Sequence, residues 1–134
     1  MTATRCAECG YDWAGRPEDA VATIGAFPGS VARRLNERGS SQLRTRPAAE
    51  VWSPLEYIAH TGDAIDWYAG RVNRVLTEDR PALDPFDWDA HTAGQHYHDR
   101  TLGEVLDRVT RSCARFTAML ADSPRRARST ASPA

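Results

Sequence analysis

Histidines and cysteines are the side chains of this chain best suited to bind a metal ion or to act as a base. His60 and Asp63 lie three residues apart in one predicted helix, so their side chains project from neighbouring positions on its surface. Such a pair suits a metal ligand with an orienting carboxylate, or a general base. A structural interpretation stays open, in which His60 is half-buried and bonded to Asp63 or a backbone carbonyl. One histidine is not a metal site, because zinc and similar ions take three or four protein ligands.

The other three histidines lie close together in the sequence. His96 and His98 are two residues apart and point to different sides of a helix. His91 and His96 are five residues apart and also fit one helical face poorly. We therefore expect an exposed polar connection rather than further metal ligands. These histidines would join His60 only if the segment 87–98 folded back over it.

Cys6 and Cys9 form a Cys-x-x-Cys pair, which is half of a zinc-binding pattern. Two thiolates at this spacing bind one ion well, but zinc needs two further ligands, from histidines or from a second chain. A redox role is less favoured, because no strand precedes the pair and no helix obviously follows it. Cys113 lies on an apolar helical stripe and is expected to be a small core residue.

Length and composition indicate one soluble globular domain. The 134 residues suffice for a core, and 41% hydrophobic and 26% charged residues are ordinary fractions. The chain has 17 basic residues, all of them arginines, and 18 acidic residues. Its net charge is therefore not basic enough to suggest a nucleic-acid partner. No apolar run approaches twenty residues, which argues against a membrane span. Since no signal peptide is evident and cysteines are few, we expect a cytoplasmic protein.

Helices are predicted from start signals and apolar periodicity, with no convincing strand. Ser53 and Glu56 form a capping box with Pro54 at the first helical position, and Thr101 and Glu104 form a second box. Behind each box, apolar residues recur every three or four positions. The predicted helices are 17–38, 54–78, 87–96 and 102–121.

Amphipathic helices must bury their apolar stripes against each other, and an antiparallel up-down bundle is the simple solution. The first helix is expected to kink or break at Pro28-Gly29, because proline removes a backbone hydrogen bond. We divide the chain into an irregular Cys-x-x-Cys arm, a helical bundle and a disordered tail. These parts are 1–16, 17–122 and 123–134.

The helix that carries His60 begins with the motif Trp-Ser-x-Leu-Glu-Tyr-x-x-His, from Trp52 to His60. With further matching residues, it resembles the actinobacterial branch of the DinB-like superfamily, whose relatives include mycothiol-dependent maleylpyruvate isomerases. The resemblance covers roughly residues 5–122, and this motif is its most specific part. The further residues are Cys6, Cys9, Gly10, Tyr11, Arg44-Thr45-Arg46-Pro47, Asp63, Trp88, Asp89 and Tyr97.

The resemblance implies an antiparallel four-helix bundle and a divalent metal, such as zinc or nickel, held by three side chains. His60 matches the first of these ligands. It also implies a transferase or isomerase that handles a low-molecular-weight thiol. The family's other ligands lie on its last helix in a His-x-x-x-His or similar motif, and the sequence after Ala121-Asp122 has no such pair. We therefore expect a C-terminally truncated version that lacks the last helix.

Two functions stay open. One is a metal-dependent, thiol-handling enzyme with His60 as ligand and Asp63 as its orienting partner. The other is a non-catalytic helical interaction module or remnant, which covers its apolar surface with a second copy of itself, as a homodimer, or with another partner. The number of available metal ligands discriminates between them, and the candidates are His60, Cys6 and Cys9.

Overall fold

The structure, a computed structural model, describes residues 5–12 and 14–127. Their helices are α1 (Pro17–Arg38), α2 (Pro54–Thr77), α3 (Trp88–Gln95), a 3₁₀ turn (Tyr97–Asp99) and α4 (Leu102–Ala127). Besides helices, two isolated β-bridges occur in these ranges and no strand does. The predicted all-helical fold is confirmed. None of the described helices has both the length and the apolar character needed to cross a membrane.

The predicted capping boxes are present at both long helices that follow them. At α2, the Ser53 hydroxyl accepts a hydrogen bond from the Glu56 N–H, and the Glu56 carboxylate accepts one from the Ser53 N–H at 2.8 Å. At α4, Thr101 and Glu104 make the same reciprocal pair at 3.2 and 2.8 Å. Asp87 caps α3 by accepting a backbone N–H at 2.9 Å. These bonds satisfy amides that have no partner inside a helix.

Two helices differ from the prediction. α1 is one helix through Pro28 rather than two pieces, because one missing N–H leaves the hydrogen bonds on either side intact while α1 packs on α4. α4 continues to Ala127, into a segment predicted to lack structure. Arginine and alanine propagate a started helix readily. The rest of the predicted tail, 128–134, lies outside the described residues.

α4 is the central helix, and both α1 and α2 pack against it. α2 approaches α4 closely at Gly62, where a Cβ atom would lie 3.0 Å from Val109 Cγ2. Cys113 is buried in this interface, as predicted. The buried apolar residues are Val31, Leu55, Ala59, Ala69, Tyr97, Val105, Val109, Cys113 and Phe116.

Two arginines fasten the loop between α1 and α2 to the bundle. Arg44 donates to the carbonyl oxygens of His98 and Arg100 at 2.6 and 2.7 Å. Arg46 binds both oxygens of the Glu56 carboxylate, with Nε 2.9 Å from Oε2. This bidentate pair, helped by the hydrogen bonds from Ser53, lowers the pKa of Glu56 to about 2. The loop thereby holds Trp52 beside the first turns of α2.

Candidate functional site

Asp63 carries a buried carboxylate that contacts several elements of the second half of the chain. It lies on α2 and is 4% exposed. The Tyr97 hydroxyl donates to Oδ2 at 2.7 Å, and Arg108 Nε of α4 donates to Oδ1 at 2.6 Å. His91 Nε2 of α3 lies 3.4 Å from Oδ2, and the Arg100 guanidinium lies 4.0 Å from Oδ1. Four elements are therefore tied together at one side chain.

The partners of Asp63 keep it charged. Burial by itself would raise the pKa of Asp63, but the hydrogen bond from Tyr97 and the charges of Arg108 and Arg100 lower it below the ordinary value. The pKa of Tyr97 is raised, mainly by burial and secondly by the hydrogen bond to Asp63. At neutral pH the pair is thus a carboxylate and a neutral phenol. Two guanidinium groups neutralise the carboxylate, which suits a structural anchor better than a proton acceptor.

His60 is half-buried among aromatic rings. Its ring centroid lies 5.0 Å from that of Trp52, 5.1 Å from Trp88 and 6.3 Å from Tyr97. Its Nδ1 atom is buried and has no hydrogen-bond partner among the described residues. No hydrogen bond joins His60 to Asp63, whose carboxylate oxygens accept from Tyr97 and Arg108 instead. His60 and Asp63 are therefore neighbours on α2 that lie in separate environments and do not form the expected pair.

The segment 87–98 does fold back over His60. Trp88 contacts the His60 ring, and Tyr97 closes the cluster from the 3₁₀ turn. His91 is not part of an exposed connection, because its side chain is only 30% exposed and reaches Asp63. The expectation of an exposed connection is wrong for His91, because the chain turns at His96, whose φ is 49°, so that His91 lies on α3 and His98 on the 3₁₀ turn.

His96 and His98 are exposed, as predicted. They line a cavity of about 270 Å³ together with Arg46, Trp52 and Tyr97. Neither histidine makes a contact with His60 that would add a second nitrogen donor beside it.

The described residues do not fit the three-ligand metal centre that the resemblance implies. Within 5–12 and 14–127, no three His, Cys, Asp or Glu side chains form a group that could hold a metal ion. His60 Nδ1 is buried without a hydrogen-bond partner among the described residues, so it offers one candidate ligand atom and no more. Asp63 already faces Arg108 and Arg100, whose charges would oppose a cation there.

Cys6 and Cys9 lie in a tight turn of the N-terminal arm. The Cys6 N–H donates to the Tyr11 carbonyl at 2.7 Å, and the Gly10 N–H donates to the Cys6 carbonyl at 3.0 Å. Both thiols are free, with Cys9 exposed and Cys6 half-buried. The structure thus separates the two sets of candidate ligands, His60 in the bundle and the thiols in the arm.

A groove of about 630 Å³ lies between α1 and α2. Its α1 wall carries apolar side chains at helical spacing, with Arg34 and Arg38 at the rim. Its α2 wall carries Tyr57, which is 51% exposed. The apolar lining residues are Phe27, Val31, Leu35, Leu43, Pro54 and Ile58.

Arg108 and Arg100 contact Asp63 although the sequence did not indicate either of them as its partner. Arg108 follows Val105 by three residues and so borders the apolar stripe of α4. A buried ion pair is only weakly indicated when an aspartate borders the apolar stripe of one helix and an arginine borders that of another. It does not say which arginine of this arginine-rich chain is involved.

A model of the DinB superfamily matches residues 28–133. The matched range begins within α1 and includes α2, α3 and α4, and therefore the surroundings of both His60 and Asp63. In the comparisons with curated proteins and with solved structures, nothing matches the chain. The match spans well over half of the chain and agrees with the helical fold, so the chain belongs to the DinB superfamily.

Proposed function

We propose that this DinB-superfamily chain works as a binding module and that the groove between α1 and α2 receives an acidic, amphipathic helix of a partner protein. The observation that carries this proposal is the groove itself, an apolar channel of about 630 Å³ between two helices. Apolar grooves between helices are a common seat for a partner helix. The groove is the surface that we assign to the non-catalytic interaction module, one of the two functions left open by the sequence.

The shape of the groove suits a helix. From Phe27 to Arg38, the α1 wall is about 16 Å long at the helical rise, which corresponds to about three turns. The opposite wall presents Tyr57 and Ile58 from the first turns of α2. An exposed tyrosine beside half-buried aliphatic side chains is the kind of surface that contributes strongly to binding. A docked helix would cover this surface with residues spaced three and four apart.

The charge of the rim selects an acidic partner. Arg34 and Arg38 line the groove, and among the described residues neither forms an ion pair. Arg33, on another face of α1, lies 3.9 Å from the Glu37 carboxylate instead. Two guanidinium groups without a carboxylate beside an apolar channel are complementary to glutamates that flank an apolar helical stripe.

A pair of synthetic peptides tests this proposal. The probe is a labelled helical peptide of about 15 residues, with leucines at i, i+4 and i+7 and flanking glutamates. The matched peptide has lysine in place of each glutamate. Fluorescence anisotropy should show binding of the acidic peptide, weakened about tenfold or more in the double variant Arg34→Glu, Arg38→Glu.

Arg33→Glu is the matched control, because it changes the same charge on the same helix outside the groove. It should leave the affinity within about twofold of the unmodified chain, and circular dichroism should show equal helicity for all variants. Equal affinity for the acidic and basic peptides, or no effect of the double variant, would contradict an acidic helical partner.

The second candidate is the metal-dependent thiol chemistry of the actinobacterial, thiol-using relatives. One observation favours it: His60 Nδ1 is buried without a partner, as a ligand lacking its ion would be. We place it second because one donor gives little affinity for zinc or nickel. Calorimetric titration with either ion should show weak binding at the bundle. Tight binding abolished by both His60→Ala and His91→Ala would reverse this order.

A further inference from the structure

The Cys-x-x-Cys arm is folded as a small hairpin before it reaches α1. Arg5 and Asp12 pair across it in an antiparallel bridge, and Cys6 makes backbone hydrogen bonds to Tyr11 and Gly10. The chain reverses at Gly10, whose φ is 74°, a left-handed conformation that glycine adopts at no steric cost. The spacing of the two cysteines is therefore fixed by a defined turn rather than by a loose chain.

Cys6 and Cys9 lie on this one turn, three residues apart. The turn is closed by hydrogen bonds from the Cys6 N–H to the Tyr11 carbonyl at 2.7 Å and from the Gly10 N–H to the Cys6 carbonyl at 3.0 Å. Two thiolates at this spacing on one turn can contact one ion.

Within 5–12 and 14–127, no third His, Cys, Asp or Glu side chain joins the two thiols in a group that could hold a metal ion. The sequence outside those ranges contributes none of these four residue types. The arm also precedes the range 28–133 that matches the superfamily. The turn thus offers two of the four ligands that zinc takes, and it precedes the helices of the bundle.

We propose that the Cys6–Cys9 turns of two copies of this chain bind one zinc ion between them through four thiolates. Zinc takes four ligands in a tetrahedron and accepts four cysteine thiolates at structural sites. A two-fold axis through the ion supplies the missing pair with the same geometry as the first, which closes the assembly at a dimer. Each chain would bring the same two sulfurs, one of them exposed.

The test uses the full chain, reduced and loaded with zinc chloride, and then freed of excess zinc by gel filtration. Elemental analysis should give about one zinc ion per two chains, and light scattering should give the mass of a dimer. A strong chelator should release the zinc and convert the dimer to monomer. Cobalt in place of zinc should give the absorption of a tetrahedral thiolate site, which disappears in Cys6→Ser and in Cys9→Ser.

Two matched controls separate the site from general effects of substitution. Gly10→Ala should weaken zinc binding at least tenfold, because its φ of 74° disfavours any residue with a Cβ, although no atom lies within 4 Å of that Cβ. Gly15→Ala, in the same arm and with only an ordinary contact of 3.6 Å, should bind zinc normally. Cys113→Ala removes a thiol buried in the bundle and should also leave the zinc content unchanged.

Several outcomes would overturn the proposal. A monomer with one zinc per chain would show that both further ligands come from elsewhere. Reduced chain that retains no zinc, with both thiols reacting equally fast with and without chelator, would exclude the site. A dimer that persists in Cys6→Ser and in chelator would place the contact between copies elsewhere. A partner peptide in the α1–α2 groove should affect none of these measurements, so the two proposals can fail independently.

Discussion

The buried carboxylate of Asp63 joins α2 to α3, to the 3₁₀ turn and to α4. It accepts hydrogen bonds from Tyr97 and Arg108 and lies beside His91. A charge in this position is stabilising only while its partners remain, because an unpaired buried charge costs several kcal/mol. Its role is therefore best tested by removing the charge while keeping the shape.

Asp63→Asn should lower the free energy of unfolding by about 1–3 kcal/mol, because it removes charged hydrogen bonds to Arg108 and to the Tyr97 hydroxyl. Urea unfolding followed by circular dichroism measures it. Asp66→Asn is the matched control, since Asp66 pairs with Arg108 and the more exposed Arg115. That variant should lose less than about 1 kcal/mol. Equal losses in the two variants would contradict the special role of Asp63.

The pair between Glu56 and Arg46 should make stability depend on pH. The pKa of Glu56 is about 2 in the folded chain, against an ordinary 4.5. Its contribution is therefore complete above about pH 4.5 and is lost as the pH falls towards 2, because the unfolded chain takes up the proton first. Since Arg46 is half-exposed, we expect about 1–2 kcal/mol rather than the full shift.

Urea unfolding at a series of pH values measures this contribution. Glu56→Gln should flatten the decline between pH 4.5 and 2, while Asp63 continues to contribute in the same direction. Stability that falls equally steeply in Glu56→Gln and in the unmodified chain would show that the pair contributes nothing.

At the scale of elements, the contact between α2 and α4 depends on a small residue at Gly62. A Cβ there would lie 3.0 Å from Val109 Cγ2, and Val109 is buried and stiff at its side-chain torsion. Gly62→Ala should therefore destabilise the chain by about 1 kcal/mol or more, although alanine favours helix.

Gly70→Ala is the control within the same helix, because its Cβ would meet no atom within 4 Å. It should stabilise the chain by about 0.5–1 kcal/mol. Thermal unfolding should thus shift the two variants in opposite directions, and Val109→Ala should relieve the cost of Gly62→Ala. A stabilised Gly62→Ala chain would show that the helices can move apart without loss.

At the scale of the whole molecule, the three long helices bury different amounts of apolar surface. Most buried residues lie on α2 and α4, whereas Val31 is the buried apolar residue that α1 contributes among the described residues. Helices with little buried surface open locally at lower free energy. Hydrogen exchange should therefore show α1 amides exchanging faster than those of α2 and α4, and the acidic peptide probe should slow exchange in α1. Equal protection in all three helices would contradict this ranking.

The sequence by itself determined the helices that follow strong local signals. The capping boxes at Ser53 and Thr101 involve residues three apart, and such interactions form whatever the rest of the chain does. The apolar stripe behind each box also predicts which face is buried, as Cys113 confirms. Even there, α4 extends beyond its predicted end and α1 runs through Pro28 as one helix, because packing and helix propagation override single residues.

Only the tertiary structure decided what His60 and Asp63 contact. Asp63 lies 34 residues from Tyr97 and 45 residues from Arg108 along the chain, and no local rule pairs residues so far apart. His91 reaches Asp63 because the loop before α3 brings that helix back across α2. The groove likewise exists because α1 and α2 both pack on α4, and the relative placement of helices follows from packing of whole surfaces rather than from their order in sequence.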